Sequence, residues 1–471
     1  MANAKAGIIW SAVERFSVQG TQFILSLIIA RLVTPSDFGL IAMLSIFMAI
    51  AQVFTDSGFG SALIQKKDRN DVDYSTVFYF NLGIAICLYL VLYLSAPLIS
   101  SFYKEPRLID VTRCIGLNLI FLALCLIQRT ILRIHLNFKK IATISLISML
   151  LSGTVGVYLA YIGYGVWALV LQTLINNFLL ALLFWLTTYW KPLLVFSVSS
   201  FKRLFSFGSK LLVSHLLHTV YLNLYSLVIG RFYNASDVGY YNRAYTIAQY
   251  PPVNLVMIIT NVMYPIQCEH QNDKKWMIET FPEFIRMTCF VVFPVMVLLA
   301  IVAKPFVLIV LSEKWIQAAP LISILAIAYM WIAIGTLNNN IINASGRSDL
   351  YLKAEVIKKV IAIVILIATI PFGILWLCIG LLIYNLIDLV IIIHYTKKIF
   401  PLGYILQLRA CLPILTLSII SGLISCVVNV ISGNNWIILM GNIIIFSICY
   451  IIGGRYICPK EIKLLLSFMK K

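Results

Sequence analysis

The sequence predicts an all-α polytopic membrane protein of about fourteen transmembrane helices, built as two six-helix lobes plus a C-terminal helix pair. Three observations carry this. The chain of 471 residues is 61% hydrophobic and 11% charged, whereas ordinary soluble domains carry about a quarter charged residues. Its mean hydropathy is +0.96, and its apolar residues gather in runs of the roughly 20 residues that cross a bilayer. Between those runs, basic residues favour alternate loops.

In order, the runs cover approximately 8–30, 39–64, 76–98, 109–132, 141–162, 165–189 and 208–230. They continue over 240–265, 284–311, 319–342, 355–375, 376–395, 410–431 and 436–457. Two separations rest on short turns, Tyr161 to Gly165 and Pro371 to Gly373. The start has no cleavable signal pattern, because Glu14 and Arg15 interrupt the first apolar stretch and no small-residue cleavage site follows.

Loop charge sets the orientation. With fourteen helices, Lys66, Lys67 and Arg69, then Arg133, Lys139 and Lys140, then Lys191, Lys202 and Arg203 all fall on one side. So do Lys274, Lys275, Arg347, Lys353, Lys397, Lys398 and the tail from Lys460 to Lys471. The opposite side holds Arg31, Lys104, Arg107, Arg231, Lys304 and Lys314. Both termini are therefore expected in the cytoplasm. The formal net charge of +18 reads as this positive-inside bias, and no soluble segment is long enough for a nucleic-acid domain.

One short pattern occurs twice. Arg31, Ser36, Asp37 and Gly39 recur as Arg231, Ser236, Asp237 and Gly239, each set lying between two apolar runs. Ile64, Gln65, Asn70 and Asp71 recur as Ile266, Gln267, Asn272 and Asp273. The spacing predicts two parallel halves: a lobe over 1–190, a basic cytoplasmic linker over 191–207, a second lobe over 208–398, and helices 13 and 14 with a basic tail over 399–471. In each turn the Asp is expected to cap the following helix and the Gly to admit positive φ.

Several chemistries find no support. No Walker-type glycine loop is present, and outer loops of at most about a dozen residues leave little room for catalysis. The chain is expected not to be an enzyme and to hold no cofactor. The ten cysteines form no C-x-x-C pair and sit mostly in apolar runs. His215 and His218 share a helix face without a third metal ligand nearby.

Ionisable and amide side chains within spans are costly and usually face a cavity or a partner. Helix 1 places Ser11, Arg15, Gln19, Gln22 and Ser26 on one face, with Glu14 beside Arg15; cavity lining and a neutralised helix contact both fit. Helix 7 repeats the pattern with Ser214, His218, Tyr221 and Tyr225, and His215 corresponds to Arg15. Helix 2 carries Ser45, Gln52 and Asp56; helix 8 carries Arg243, Tyr245 and Gln249 before the Pro251-Pro252 break. These residues make Arg15, Gln19, Gln22, Gln52, His215, His218, Arg243 and Gln249 the candidate substrate-cavity set. Glu14, Asp56 and the isolated Asp388 of helix 12 are candidate coupling-ion carboxylates; a hydrogen bond from Asp388 to a neighbouring helix fits equally. Arg129 and Arg133 suit either headgroup snorkelling or a substrate role.

Several stretches, in order along the chain, carry a family resemblance. They are Ala30-Arg-Leu-Val-Thr-Pro-Ser-Asp-Phe-Gly-Leu-Ile-Ala-Met43, Asp56-Ser-Gly-Phe-Gly-Ser-Ala-Leu-Ile-Gln-Lys66 and Phe102-Tyr-Lys-Glu-Pro106. In the second half they are Tyr241-Asn-Arg-Ala-Tyr245, Pro252-Val-Asn254, Leu311-Ser-Glu-Lys-Trp315 and Ala344-Ser-Gly-Arg-Ser-Asp349. The chain resembles the polysaccharide-transporter (Wzx/WzxC-like lipopolysaccharide flippase) branch of the multidrug/oligosaccharidyl-lipid/polysaccharide exporter superfamily. The resemblance implies a two-lobed bundle that moves an undecaprenyl-diphosphate-linked oligosaccharide across the bacterial inner membrane by alternating access. It also implies cavity cations for the diphosphate, a role that falls here to Arg15, His215 and Arg243. H+ or Na+ are the coupling-ion candidates, and other polysaccharide-assembly proteins are expected partners. A cation-coupled multidrug exporter of the same superfamily and a non-transporting assembly partner are the alternatives.

Overall fold

Short polar side chains decide where many of the helices start. The computed structural model describes residues 2–56, 58–271 and 273–462, with side chains from residue 17 onward except 207, 210, 211 and 214. Among the described residues every regular element is helical. The first helices are α1 (Ala2–Leu32), α2 (Pro35–Asp56), α3 (Phe59–Gln65), α4 (Asp71–Tyr103), α5 (Leu108–Ile115), α6 (Asn118–Ile134), α7 (Phe138–Tyr161), α8 (Val166–Thr187), α9 (Val198–Phe232) and α10 (Ala235–Glu269). They are followed by α11 (Lys274–Phe306), α12 (Ala318–Tyr329), α13 (Ile332–Ala344), α14 (Ser348–Thr369), α15 (Ile374–Lys397), α16 (Tyr404–Ser425), α17 (Val427–Ile431) and α18 (Asn435–Ile457). All fourteen apolar runs lie in helical segments. Four of them break: α2/α3, α5/α6, α12/α13 and α16/α17 each divide one run. Window hydropathy is blind to such breaks, because one or two polar residues are averaged out by the apolar run on either side.

By length and composition, ten helical stretches among the described residues can cross a membrane. The helices α9, α10 and α14 are not among them. Their sequences carry His215 and His218, Arg243, and Lys353 to Lys359 respectively, the polar content noted above.

The chain forms two compact units, 1–239 and 240–471. In the first, α1 packs on α7, α7 on α8, α6 on α4 and α8, and α9 on α2, α3 and α4. Its buried apolar groups include Ile29, Val33 and Ala168 where α1 meets α7 and α8, and Phe59, Leu63, Phe78 and Ile127 around α3. In the second, α11 packs on α12, α16 and α18, and α15 on α12, α13 and α14.

The α4 start shows how sequence fixes a boundary. The Asn70 side chain accepts from the Asp73 amide at 2.9 Å, and the Asp73 carboxylate accepts from the Asn70 amide at 3.0 Å, a reciprocal capping box. Asp73 is fully buried yet paired with Lys66, with Arg203 at 3.6 Å. The segment before α9 is stapled to the same helix, since the amides of Leu193 and Ser197 donate to Ser75 Oγ and Thr76 Oγ1 at 2.9 and 3.0 Å.

The two repeated turns have a different logic from the one expected. The caps are Thr34 and Asn234: Thr34 Oγ1 accepts from the Asp37 amide at 3.3 Å, and Asn234 Oδ1 from the Asp237 amide at 2.9 Å. Asp37 sits at the third helical position and accepts from the Thr34 hydroxyl at 2.6 Å. Neither Gly39 nor Gly239 has positive φ. Each is needed for closeness instead. A Cβ on Gly39 would overlap the carbonyl of Ala235, and one on Gly239 the carbonyl of Pro35. The two copies of the motif thus pack on each other through equivalent residues.

The 102–107 segment clamps both copies. The Phe102 carbonyl accepts from Arg231 Nη1 at 3.0 Å, and the Tyr103 hydroxyl donates to the Met43 carbonyl at 3.0 Å. Arg107 donates to Ser36 Oγ at 3.0 Å and to Glu105 at 2.9 Å. The hydrogen bond from Arg107 holds the Glu105 carboxyl below the usual carboxylate range. A depressed folded-state pKa gives stability that is present above the ordinary carboxylate pKa and lost as pH falls through the lowered value. Thermal unfolding of wild type and Glu105→Gln should therefore differ at pH 7 and converge as the pH is taken below about 4. A pH-independent gap would contradict this.

Candidate functional site

Several polar residues of the first unit line one cavity of about 400 Å³ bounded by α2, α3, α6 and α9. Ligand sites typically fall between about 300 and 1,000 Å³. Helix periodicity supplies each wall. On α6, Leu119, Leu122, Leu126, Arg129 and Arg133 line it, steps of three and four that define one face. The face is apolar for its first turns and ends in two guanidinium groups. On α2, Ala49, Gln52, Val53 and Asp56 contribute, and on α9, His215 and Thr219.

Asp56 is held in place by the start of α3, whose Gly60 amide donates to its carboxylate. A Cβ at Gly60 would lie 3.4 Å from Asp56 Oδ1 and 3.6 Å from Thr130 Oγ1, so the carboxylate, the hydroxyl and the backbone meet closely. Arg129, Arg133 and His215 all interact electrostatically with Asp56. Among the described residues the cavity therefore carries two permanent cations against one carboxylate. Gln52, Ser61, Thr130 and Thr219 add neutral hydrogen-bonding groups. Such a wall suits an anion with a polar, hydroxyl-bearing attachment.

Of the residues singled out from sequence, Gln52, Asp56 and His215 come together here. Arg15 and Glu14 have side chains outside the described residues. Gln19 and His218 do not line the cavity; Gln19 is half-buried, while Gln22 and His218 are exposed. Arg243 lies in the second unit, 5% exposed, with its guanidinium 5.7 Å from the centre of the Trp315 ring. Gln249 is half-buried on the same helix. Arg129 and Arg133 face the cavity. The sequence held their signal, a pair of arginines at i, i+4 ending an apolar run, but the rotational phase of α6 was needed to separate headgroup from cavity.

Asp388 is not isolated. Lys358 Nζ lies 3.0 Å from Asp388 Oδ1 and 2.6 Å from Glu355 Oε1, and the Tyr384 hydroxyl donates to Asp388 at 3.4 Å. The Lys358 side chain is 4% exposed, while Asp388 and Glu355 are 23% and 25% exposed, so the network of α14 and α15 is centred on a buried lysine. Asp388→Asn leaves Lys358 one carboxylate, Glu355, and should cost about 2 kcal/mol, less than the 3–5 kcal/mol of fully orphaning a buried charge. The check is the unfolding midpoint of the purified protein; an unchanged midpoint would contradict a structural role.

The family model described as "Polysaccharide biosynthesis protein" matches residues 28–320. The teichuronic acid biosynthesis protein TuaB of Bacillus subtilis (strain 168) is 27% identical over 347 residues, spanning 73% of this chain and 72% of that protein. The lipopolysaccharide biosynthesis protein WzxC of Escherichia coli (strain K12) is 27% identical over 389 residues, spanning 82% and 79%. Among solved structures, the lipid II flippase MurJ in an inward closed conformation superposes with a TM-score of 0.78 at 15% identity, covering 95% of this chain and 98% of that one, which establishes a shared fold. With its family match spanning well over half its length, this multi-pass membrane chain belongs to the polysaccharide biosynthesis protein family.

Proposed function

We propose that the chain is a flippase that carries an undecaprenyl-diphosphate-linked oligosaccharide across the bacterial cytoplasmic membrane by alternating access. The observation that carries this reading is the cavity wall with Arg129 and Arg133 against Asp56, the one carboxylate among its described lining residues. A diphosphate needs permanent cations, and a sugar head needs hydroxyl and amide groups. The polyprenyl tail needs neither and stays in lipid. The relatives named for teichuronic acid and lipopolysaccharide biosynthesis support a glycan cargo.

In this proposal fourteen helices span the membrane with both termini cytoplasmic, and the duplicated lobes are 1–190 and 208–398, joined by 191–207 and followed by 399–471. A diphosphate of about two negative charges moving outward gains about 2.3 kcal/mol per charge per 100 mV from an inside-negative potential. Asp56, which opens on the cavity, is the carboxylate placed to exchange H+ or Na+; Asp388 is committed to Lys358. Deleting the gene in a strain without a redundant flippase should trap lipid-linked oligosaccharide on the inner leaflet. Unchanged exposure on the outer leaflet would overturn the proposal.

A further inference from the structure

The second unit holds another cationic cavity, of about 630 Å³. Arg286 of α11, Lys397 at the end of α15, and Gly403, Tyr404, Ile405 and Arg409 at the start of α16 line it, and none of the described lining residues is acidic. Arg286 is already engaged, donating from Nε to Glu461 at 2.5 Å. Lys397 and Arg409 are exposed, and among the described residues neither joins an ion pair. The cavity thus presents two uncompensated cations. The 22-residue α16 also opens on it, with Gly403 as an N-cap that supplies no side-chain hydrogen bond, so first-turn amides add to the positive field.

The framework around these groups is rigid. Buried Gln407 donates from Nε2 to Asn338 Oδ1 and to the Leu402 carbonyl, both at 3.0 Å, and Asn338 donates back to Gln407 Oε1 at 2.9 Å. This exchange pins the first turns of α16 to α13. Next to the cations, Ile405, Leu408 and Leu412 are 69%, 54% and 45% exposed. At i, i+3 and i+7 they form one apolar strip leading away from the cavity along α16.

We propose that this cavity binds the phosphodiester headgroup of an anionic membrane phospholipid, with an acyl chain along Ile405, Leu408 and Leu412. A free phosphate would use the same cations, but the strip gives it no contact. A lipid uses both, and basic pockets between membrane helices recognise such headgroups. The site belongs wholly to the second unit and stands independently of the transport proposal.

The test uses the purified full-length protein in mixed micelles, with bound lipid counted by native mass spectrometry. Phosphatidylglycerol should be retained over phosphatidylcholine, and K397Q/R409Q should weaken its binding by about 30-fold. The charge-keeping K397R/R409K should retain it, which separates lost charge from misfolding. L408N/L412N should also weaken binding, and millimolar inorganic phosphate should fail to displace the lipid. Equal retention by wild type and K397Q/R409Q would overturn the site. Displacement by phosphate together with a silent L408N/L412N would overturn the lipid as its occupant.

Discussion

Replacing Arg129 and Arg133 together by glutamine should weaken binding of a lipid-linked diphosphate to the purified protein by about 100-fold, with membrane abundance unchanged. Charge-assisted hydrogen bonds contribute about 1.5–3 kcal/mol each. The arginines are exposed on the cavity wall, so the lower end applies, and two such bonds sum to about 3 kcal/mol. Neither side chain is needed to fill the core, and glutamine keeps some of the stem packing. The affinity should also fall with added salt, since exposed charges are screened beyond about 10 Å at 0.1 M. Asp56→Asn gives the opposite sign: removing the one carboxylate should tighten diphosphate binding while impairing any ion-coupled step. Titration of each variant with an undecaprenyl diphosphate sugar reads both effects. Equal affinities of wild type and R129Q/R133Q would remove the arginines from the site.

Gly39→Val should destabilise the protein by about 3 kcal/mol and deplete it from the membrane. The reason is what the new side chain meets. At Gly39 the obstacle is the backbone of Ala235, which no rotamer change can clear, so the two turns must separate. Separation would also strain the clamp made by Phe102, Arg107 and Arg231. Gly83→Ala in α4 is the control, because its Cβ would meet nothing within 4 Å, and gaining a better helix former there is neutral or favourable by up to about 1 kcal/mol. Fluorescence-detected size exclusion of tagged variants checks the pair. Wild-type levels of monodisperse G39V would show that the close approach of the turns is dispensable.

The repeated turn motif, the apolar runs and the polarity of helices 2 and 7 were legible because each is a local pattern in one dimension. Other features depended on what meets what. The repeated glycines looked like turn residues, yet their backbone is ordinary and their role is contact with Pro35 and Ala235. That requirement belongs to two distant stretches at once. Asp388 looked alone because its partner Lys358 sits on another helix. Arg129 and Arg133 could be placed at a helix end from sequence, but facing lipid or cavity is a matter of phase about the α6 axis. Arg243, read as a cavity cation, has its guanidinium over the Trp315 ring, a pairing that composition cannot show.

In the proposed function a lipid-linked diphosphate passes through the Arg129 and Arg133 cavity. The most direct measurement is transbilayer movement of a fluorescent undecaprenyl-diphosphate oligosaccharide in proteoliposomes, comparing wild type, R129Q/R133Q and protein-free vesicles under an imposed membrane potential. Wild type should move the lipid well above the protein-free rate, and R129Q/R133Q should fall close to that background at equal reconstitution. Movement at the same rate in wild-type and R129Q/R133Q vesicles, or no movement above background with folded wild type, would contradict it.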